Sequence, residues 1–318
     1  MKNLILKFNL ITFLLLAVLF TSCEKDEIII DTPIYEPIDD LLDNPPTEAD
    51  YIVKLAIPAE DYQSVFNSIT ARNYRLAFID GFVHRAGVAT DTYNKVMFNA
   101  VFVENVDNLK WASFHGLSGG QYQDKFDEYI GNGYRLMHIE SYPSNGKIKY
   151  APIFVKQNGP AFKAVHGKKL SDWQDYFDQR IAEGYRLVNR SIVWKGDKRY
   201  VAALFDKKNV GSWMSKSGQT PAETQTLMED NKDLGRAATF LDVCQKTSTD
   251  FTFGPIFNSE PHQNWYALNK LSKEDLLDEL TAAKNNDYKV TFVVAYDEPA
   301  LLNGNEYYEM RFAVGFRK

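Results

Sequence analysis

The feature that most constrains this chain is a period of about 51 residues that runs through its length. Tyr74 recurs as Tyr134, Tyr185, Arg236 and Tyr288, at separations of 60, 51, 51 and 52. An opening aromatic keeps the same rhythm as Tyr51, Trp111, Phe162, Trp213 and Trp265. A fixed period of this length marks a repeat architecture, in which one small unit buries its apolar face only by stacking on its neighbours. The units lie near 51–108, 109–158, 159–209, 210–261 and 262–318. The long first interval fits an insertion around Arg85 to Asn94. The fourth unit is degenerate, yet Phe253 to Phe257 still matches Tyr150 to Phe154.

Each unit reads as strand, helix, strand, strand. Tyr122, Phe126, Tyr129 and Ile130 fall on one helical face, as do Trp173, Phe177 and Ile181. Gly133 and Gly184 stand where a helix C-terminus favours a left-handed residue. Two runs rich in aromatic and β-branched residues follow, and Asn145-Gly146 between them is a strong hairpin signal. The fold class is therefore α+β. Connection lengths make the first and second strands of a unit parallel and the second and third a hairpin. A short link to the next unit suggests another antiparallel turn. Fifteen strands exceed what an open twisted sheet carries without curling, splitting or closing. The expectation is a closed or nearly closed ring with helices outside, with an open solenoid as the alternative.

The segments Trp111 to Leu117, Tyr122 to Asp127, Gly133 to Leu136 and Tyr150 to Phe154 carry a resemblance. They are similar to the bacterial tandem repeat domain, a repeat found beside β-lactamase-like serine hydrolases and in polyglycine hydrolases. The resemblance covers most of residues 51–318 and is closest in the second and third units. It implies a non-catalytic accessory or binding role and supplies no ligand residues.

The chain before the repeats reads as an address. Lys2 and Lys7 precede an apolar run from Leu10 to Phe20, and Thr21-Ser22-Cys23 follows. Residues 1–22 have the form of a secretory signal, with an apolar stretch short for a membrane span. Cys23 resembles the acylated first residue of a bacterial lipoprotein, although Phe20 stands where a Leu is expected. Glu24 to Glu27 resembles the acidic export signal of surface lipoproteins of the Bacteroidetes type. This implies a palmitate-bearing outer-membrane lipoprotein exposed at the cell surface, with the membrane as partner. Residues 23–50 form a Pro-containing tether, and from 24 to 50 ten acidic residues face one Lys. The whole chain carries a formal charge of −6, so the acidity belongs to the tether and residues 51–318 are nearly neutral. A nearly neutral body argues against nucleic acid as a partner.

Candidate chemistry is sparse. Gly116 to Gly120 fits the nucleophile-elbow pattern around Ser118. Thr220 and Ser272 share that phase, and each precedes an acidic residue by three, which makes the serine a helix cap. Ser144 and Lys147 fit a Ser-x-x-Lys pattern, but a hairpin turn separates them. The five histidines lack zinc spacing, and no cofactor motif is present. Cys244 reads as a buried apolar residue. The candidate ligand-binding residues are the in-phase cations Arg75, Arg135, Arg186 and Lys289, with Ala237 in the fourth unit, and the recurring His115 and His166. Pairing within each unit and bonding to backbone are the competing roles for these groups. Strand alternation places Tyr134, Leu136 and His138 on one face, and Arg135, Met137 and Ile139 on the other.

The reading is a surface-anchored, non-enzymatic binding or scaffolding lipoprotein for a glycan, peptide or protein ligand. An accessory or degenerate hydrolase, or a structural subunit of an envelope complex, is the alternative. Five repeats reaching residue 318 leave no room for a catalytic domain in the sequence as read.

Overall fold

A computed structural model describes residues 51–86, 93–260, 264–302 and 305–318. Cys23, the signal, the tether and His262 lie outside the described residues. The first unit comprises β1 (Tyr51–Pro58), α1 (Tyr62–Thr70), β2 (Tyr74–Ala86) and β3 (Tyr93–Glu104). The second comprises β4 (Trp111–Ser113), α2 (Gly119–Gly131), β5 (Arg135–Ser144) and β6 (Lys147–Val155). The third comprises β7 (Phe162–Lys169), α3 (Trp173–Ala182), β8 (Arg186–Lys195) and β9 (Lys198–Asp206). The fourth comprises β10 (Trp213–Ser215), α4 (Pro221–Asp233), β11 (Ala237–Gln245) and β12 (Phe251–Asn258). The fifth comprises β13 (Trp265–Leu271), α5 (Lys273–Asn285), β14 (Lys289–Leu302) and β15 (Asn305–Arg317).

The strand, helix, strand, strand order is as the periodicity indicates, but the pairing corrects one expectation. The third strand of every unit inserts between the first and the second and pairs antiparallel with both. Both edges of the third strand are thus consumed inside its own unit. Among the described residues the fifteen strands therefore split into five separate three-stranded sheets, and no hydrogen-bonded sheet closes into a ring.

Local signals hold each unit in shape. Ser118, Thr220 and Ser272 are N-caps of α2, α4 and α5, each in a reciprocal capping box with Gln121, Glu223 and Asp275. Two or three residues past the end of each helix the backbone turns left-handed, at Asn73, Gly133, Gly184, Gly235 and Asp287. Glycine meets that demand without a steric cost at three of the five. Asn145 (φ 49°) and Gly146 (φ 69°) turn β5 into β6, and both left-handed values suit the strand twist. Ser144 and Lys147 are simply cross-strand partners at that turn.

A bulge interrupts every second strand at one phase, passing over Ala77, Met137, Val188, Thr239 and Thr291. This corrects the simple alternation expected for β5. An extra residue in one strand resets which side chains face inward. Leu136, His138 and Ile139 are all buried, while Met137 is turned out to solvent.

The core is built between units as much as within them. Tyr142, Ala151 and Ile153 of the second unit join Ile52, Ile69, Phe98 and Phe102 of the first in one apolar cluster. Ala202 and Leu204 of the third unit join Tyr122, Leu136 and Phe154 of the second. Helices reach across the same boundaries. Phe66 of α1 lies 5.7 Å from the Trp111 ring, and Phe177 of α3 lies 6.3 Å from that of Trp213. A sheet with a single helix leaves one face uncovered, and the next unit supplies the cover.

The second strands contact one another in succession, β2 with β5, β5 with β8, β8 with β11, and β11 with β14. β14 in turn contacts β2. Side chains reach across these seams to backbone groups. Asn189 exchanges two hydrogen bonds with the Ile139 backbone, at 2.9 and 3.1 Å. Gln245 does the same with Asp297, at 2.7 and 3.0 Å. The Ala295 N–H donates to the Asp80 carboxylate at 3.0 Å.

Candidate functional site

The sixth residue after each repeat-opening position of the second strand is Asp80, Glu140, Ser191, Asp242 and Val294. All but Val294 are polar and all five are buried, in strands that are otherwise largely apolar. The contacts between successive second strands bring this row together. Asp80 and Asp242 both act on Glu140 through their charge. The row meets a cavity of about 390 Å³, whose wall takes residues from all five second strands: Asp80, Glu140, Ile192, Val243 and Ala295 among them. That volume lies in the range of small-molecule pockets. Arg85, Asn94, Trp194, Gln245 and Lys246 also line it.

The polar groups of the row are held in different ways. Asp242 is paired with Arg190 at 2.9 Å, and the Arg190 guanidinium also donates to the Lys216 carbonyl at 2.7 Å. Room for that pair comes from Gly254 on β12, opposite Asp242 in register. A Cβ there would run into both the guanidinium and the carboxylate. Ala151 and Ala202 hold the matching position in two other units, so the glycine follows from the arginine. Asp80 accepts from the Asn99 side chain at 2.9 Å and from Ala295 N–H. Glu140 accepts from the Ser191 hydroxyl at 3.0 Å. Burial is the largest influence on both acids, lifting Asp80 to about 7 and Glu140 well above the ordinary carboxylate range. Burial raises Asp242 as well, against the pull of Arg190.

A second polar cluster lies at the seam between the first and fifth units. Asp297 is fully buried and accepts from the Arg85 backbone N–H at 2.7 Å. His84 Nδ1 is 2.7 Å from its other oxygen. Arg85 donates from Nη2 to the Lys246 carbonyl at 2.6 Å, while its buried Nη1 has no hydrogen-bond partner among the described residues. Lys246 Nζ sits 4.6 Å above the Trp194 ring and 3.1 Å from Asp197.

The residues singled out from sequence fall elsewhere. Arg186 makes a two-point ion pair with Asp206 of its own unit, at 2.9 and 3.2 Å. The Arg135 guanidinium lies 4.7 Å from the centroid of Phe162, the first residue of the third unit's sheet. Arg75 is half-buried with Asp107 as its charged neighbour, and Lys289 pairs in register with Arg317. Each belongs to the start of its own second strand, and none of the four lines the cavity. His115 meets the Tyr62 ring edge-on at 4.8 Å, and His166 lies 4.6 Å from Tyr122. Each histidine thus packs on the helix of the preceding unit, where burial lowers its pKa and favours the neutral ring. His138 bonds the Ile79 carbonyl at 2.7 Å, and burial brings its pKa down to about 4.

Ser118 offers no nucleophile geometry. Its hydroxyl accepts from Gln121 N–H at 3.3 Å, and its own N–H donates to the Gln121 side chain at 2.9 Å. The Cys244 thiol is buried and pushed up to about 12, which makes it unreactive. Among the described residues, no group of three or more His, Cys, Asp or Glu side chains is placed to hold a metal ion.

The acids of the row went unnoticed in the sequence because each looks like an isolated charge. The available signal was their phase: Asp80, Glu140 and Asp242 keep the separations of the repeat inside strands that otherwise carry apolar or aromatic residues.

This geometry defines a class: an α+β repeat protein of five three-stranded, one-helix units that pools its second strands around a polar pocket. Residues 50–105, 108–157 and 159–208 each match the family model of a polyglycine hydrolase-like structural repeat. The first three units are therefore copies of that repeat, and the fourth and fifth share its strand order, bulge and helix ending.

Proposed function

We propose that the protein is a surface-anchored, non-enzymatic binding or scaffolding lipoprotein whose five units close into a ring around the axial pocket. The observation that carries the binding role is the pocket itself, which draws lining residues from all five second strands. Ring closure is supported by the return contact of β14 to β2 and by the grip of His84 and Arg85 on Asp297. The Tyr51 hydroxyl adds a bond to the Tyr288 carbonyl at 3.0 Å, again joining the first unit to the fifth. Neighbour-to-neighbour stacking leaves two exposed faces in an open array, and joining the ends removes both. A non-enzymatic role agrees with the capping geometry of Ser118 and with a family described as a structural repeat. Anchoring rests on the sequence of Cys23 and the leader before it, which supports a lipid-tethered body at the outer membrane.

The test is a binding screen of the purified full chain against small-molecule, glycan and peptide libraries, beside a pocket-filling variant. Val243 is half-buried and lines the cavity, so Val243→Trp occupies it. Ligands of the native protein are expected to lose binding in the variant. A ligand that binds both proteins equally well does not use the pocket, and the reading fails if every ligand found behaves so.

A further inference from the structure

Among the described residues, two of the four buried acids near the axis have basic partners, and Asp80 and Glu140 form no ion pair. Asp242 has Arg190, and Asp297 has His84 and Arg85. Asp80 accepts from the Asn99 amide and the Ala295 N–H, and burial is the largest influence on it. Glu140 is influenced by burial, by the charges of Asp80 and Asp242, and by hydrogen bonds from Ser191 and Ser141. Each acid is only 7% exposed, and both line the cavity. Buried carboxylates are ordinarily paired or neutral. These two face each other's charge inside a pocket that leaves room for the missing cation.

The chemistry of that cation is narrowed by the surroundings. A hard divalent ion wants six or more oxygen ligands, and the described residues offer no metal-ligating cluster. An ammonium group needs only three acceptors, and Asp80, Glu140 and the neighbouring Ser141 are all in the cavity lining. The remaining volume, about 390 Å³ in all, has Phe82, Val83, Ile192 and Val243 on its walls to cover a short apolar stem. Trp194 is already met by Lys246 and Arg199 at 4.6 and 5.2 Å, so its ring is less free to stack on a sugar.

We propose that the axial pocket binds a small primary amine, with the ammonium group held between Asp80 and Glu140 and the stem lying on the apolar wall. The proposal rests on the reading of the cavity as the binding site. It places the charge that the fold omits in the ligand.

The experiment titrates the full chain calorimetrically with n-butylamine, 1-butanol and butyrate, three probes of matched length that differ in charge. Butylamine is expected to bind at least tenfold more tightly than the other two. Asp80→Asn and Glu140→Gln, which keep shape and remove charge, are each expected to weaken butylamine tenfold or more. Equal binding of butanol, tighter binding of butyrate, or no butylamine binding at concentrations that saturate a millimolar site overturns the amine assignment. Val243→Trp separates the two levels of the argument. If it blocks butylamine while both acid variants bind normally, the pocket stands and the amine site falls. If butylamine binds Val243→Trp unchanged, the ligand lies elsewhere and both fall.

Discussion

Asp80→Asn is expected to stabilise the protein, by an amount set by pH. The carboxyl group is buried, and its pKa is raised from an ordinary 3.8 to about 7. A raised carboxyl pKa means that the folded state holds the proton more tightly than the unfolded state. The resulting stability is complete below pH 4 and is lost as pH rises toward 7. At about 1.4 kcal/mol per tenfold change in the proton equilibrium, the ionised group costs the fold about 4 kcal/mol above pH 7. By the same relation most of that cost is absent at pH 5, so the variant's advantage should widen by about 3 kcal/mol between pH 5 and pH 8. Asparagine keeps an oxygen to accept from Asn99 and Ala295 N–H, and its amide nitrogen can face the cavity. Removing the Asp80 charge also relieves Glu140, which that charge opposes. Urea denaturation of both proteins at pH 5 and pH 8, followed by circular dichroism, reads the difference directly. A stability gap that stays constant with pH would show that Asp80 is ionised or neutral alike in both states, and the argument for an uncompensated acid would be refuted.

Ser118→Ala and Thr220→Ala should each cost about 1 kcal/mol through loss of a cap, and a fluorophosphonate probe should leave Ser118 unlabelled. Serine-specific labelling would instead revive a hydrolase role. Gly254→Ala should be among the most damaging small substitutions, about 3 kcal/mol or more in chemical denaturation, because the methyl group displaces the Arg190–Asp242 pair. A loss under 1 kcal/mol would mean the pair moves freely. Arg135→Gln with Arg186→Gln should lower the melting temperature without removing affinity for any acidic polymer, since one stacks on Phe162 and the other pairs with Asp206. An intact melting curve with lost polymer binding would make the cationic row a site. Cys23→Ala should release the protein from membranes, and wild-type protein without incorporated palmitate would contradict the lipid anchor.

The periodic features were legible before any coordinates because they depend on local chemistry. Helix faces repeat at the helical period, caps need a hydroxyl three residues before their partner, and a left-handed residue after a helix favours glycine or asparagine. Ser118, Thr220, Ser272, Gly133 and Gly184 all carry such rules within a few residues of chain. The hairpin at Asn145-Gly146 follows from the same short-range sterics.

Pairing order and the pocket belong to another scale. Whether the third strand lies beside the second alone or between the first and second depends on burial against the next unit, and residue spacing does not encode that choice. The bulge over Met137 is similar: one extra residue changes which side chains face inward, and only the partner strand shows where it falls. Asp80, Glu140 and Asp242 stand 60 and 102 residues apart in the chain. Each alone reads as an ordinary charge on a strand. The sequence by itself determined the repeat, its elements and its caps, since these follow from interactions over one or two turns of backbone. Only the tertiary structure decided that Asp80 and Glu140 share one cavity within reach of the charge of Asp242, and that among the described residues neither forms an ion pair, because burial and mutual charge arise when five strands converge.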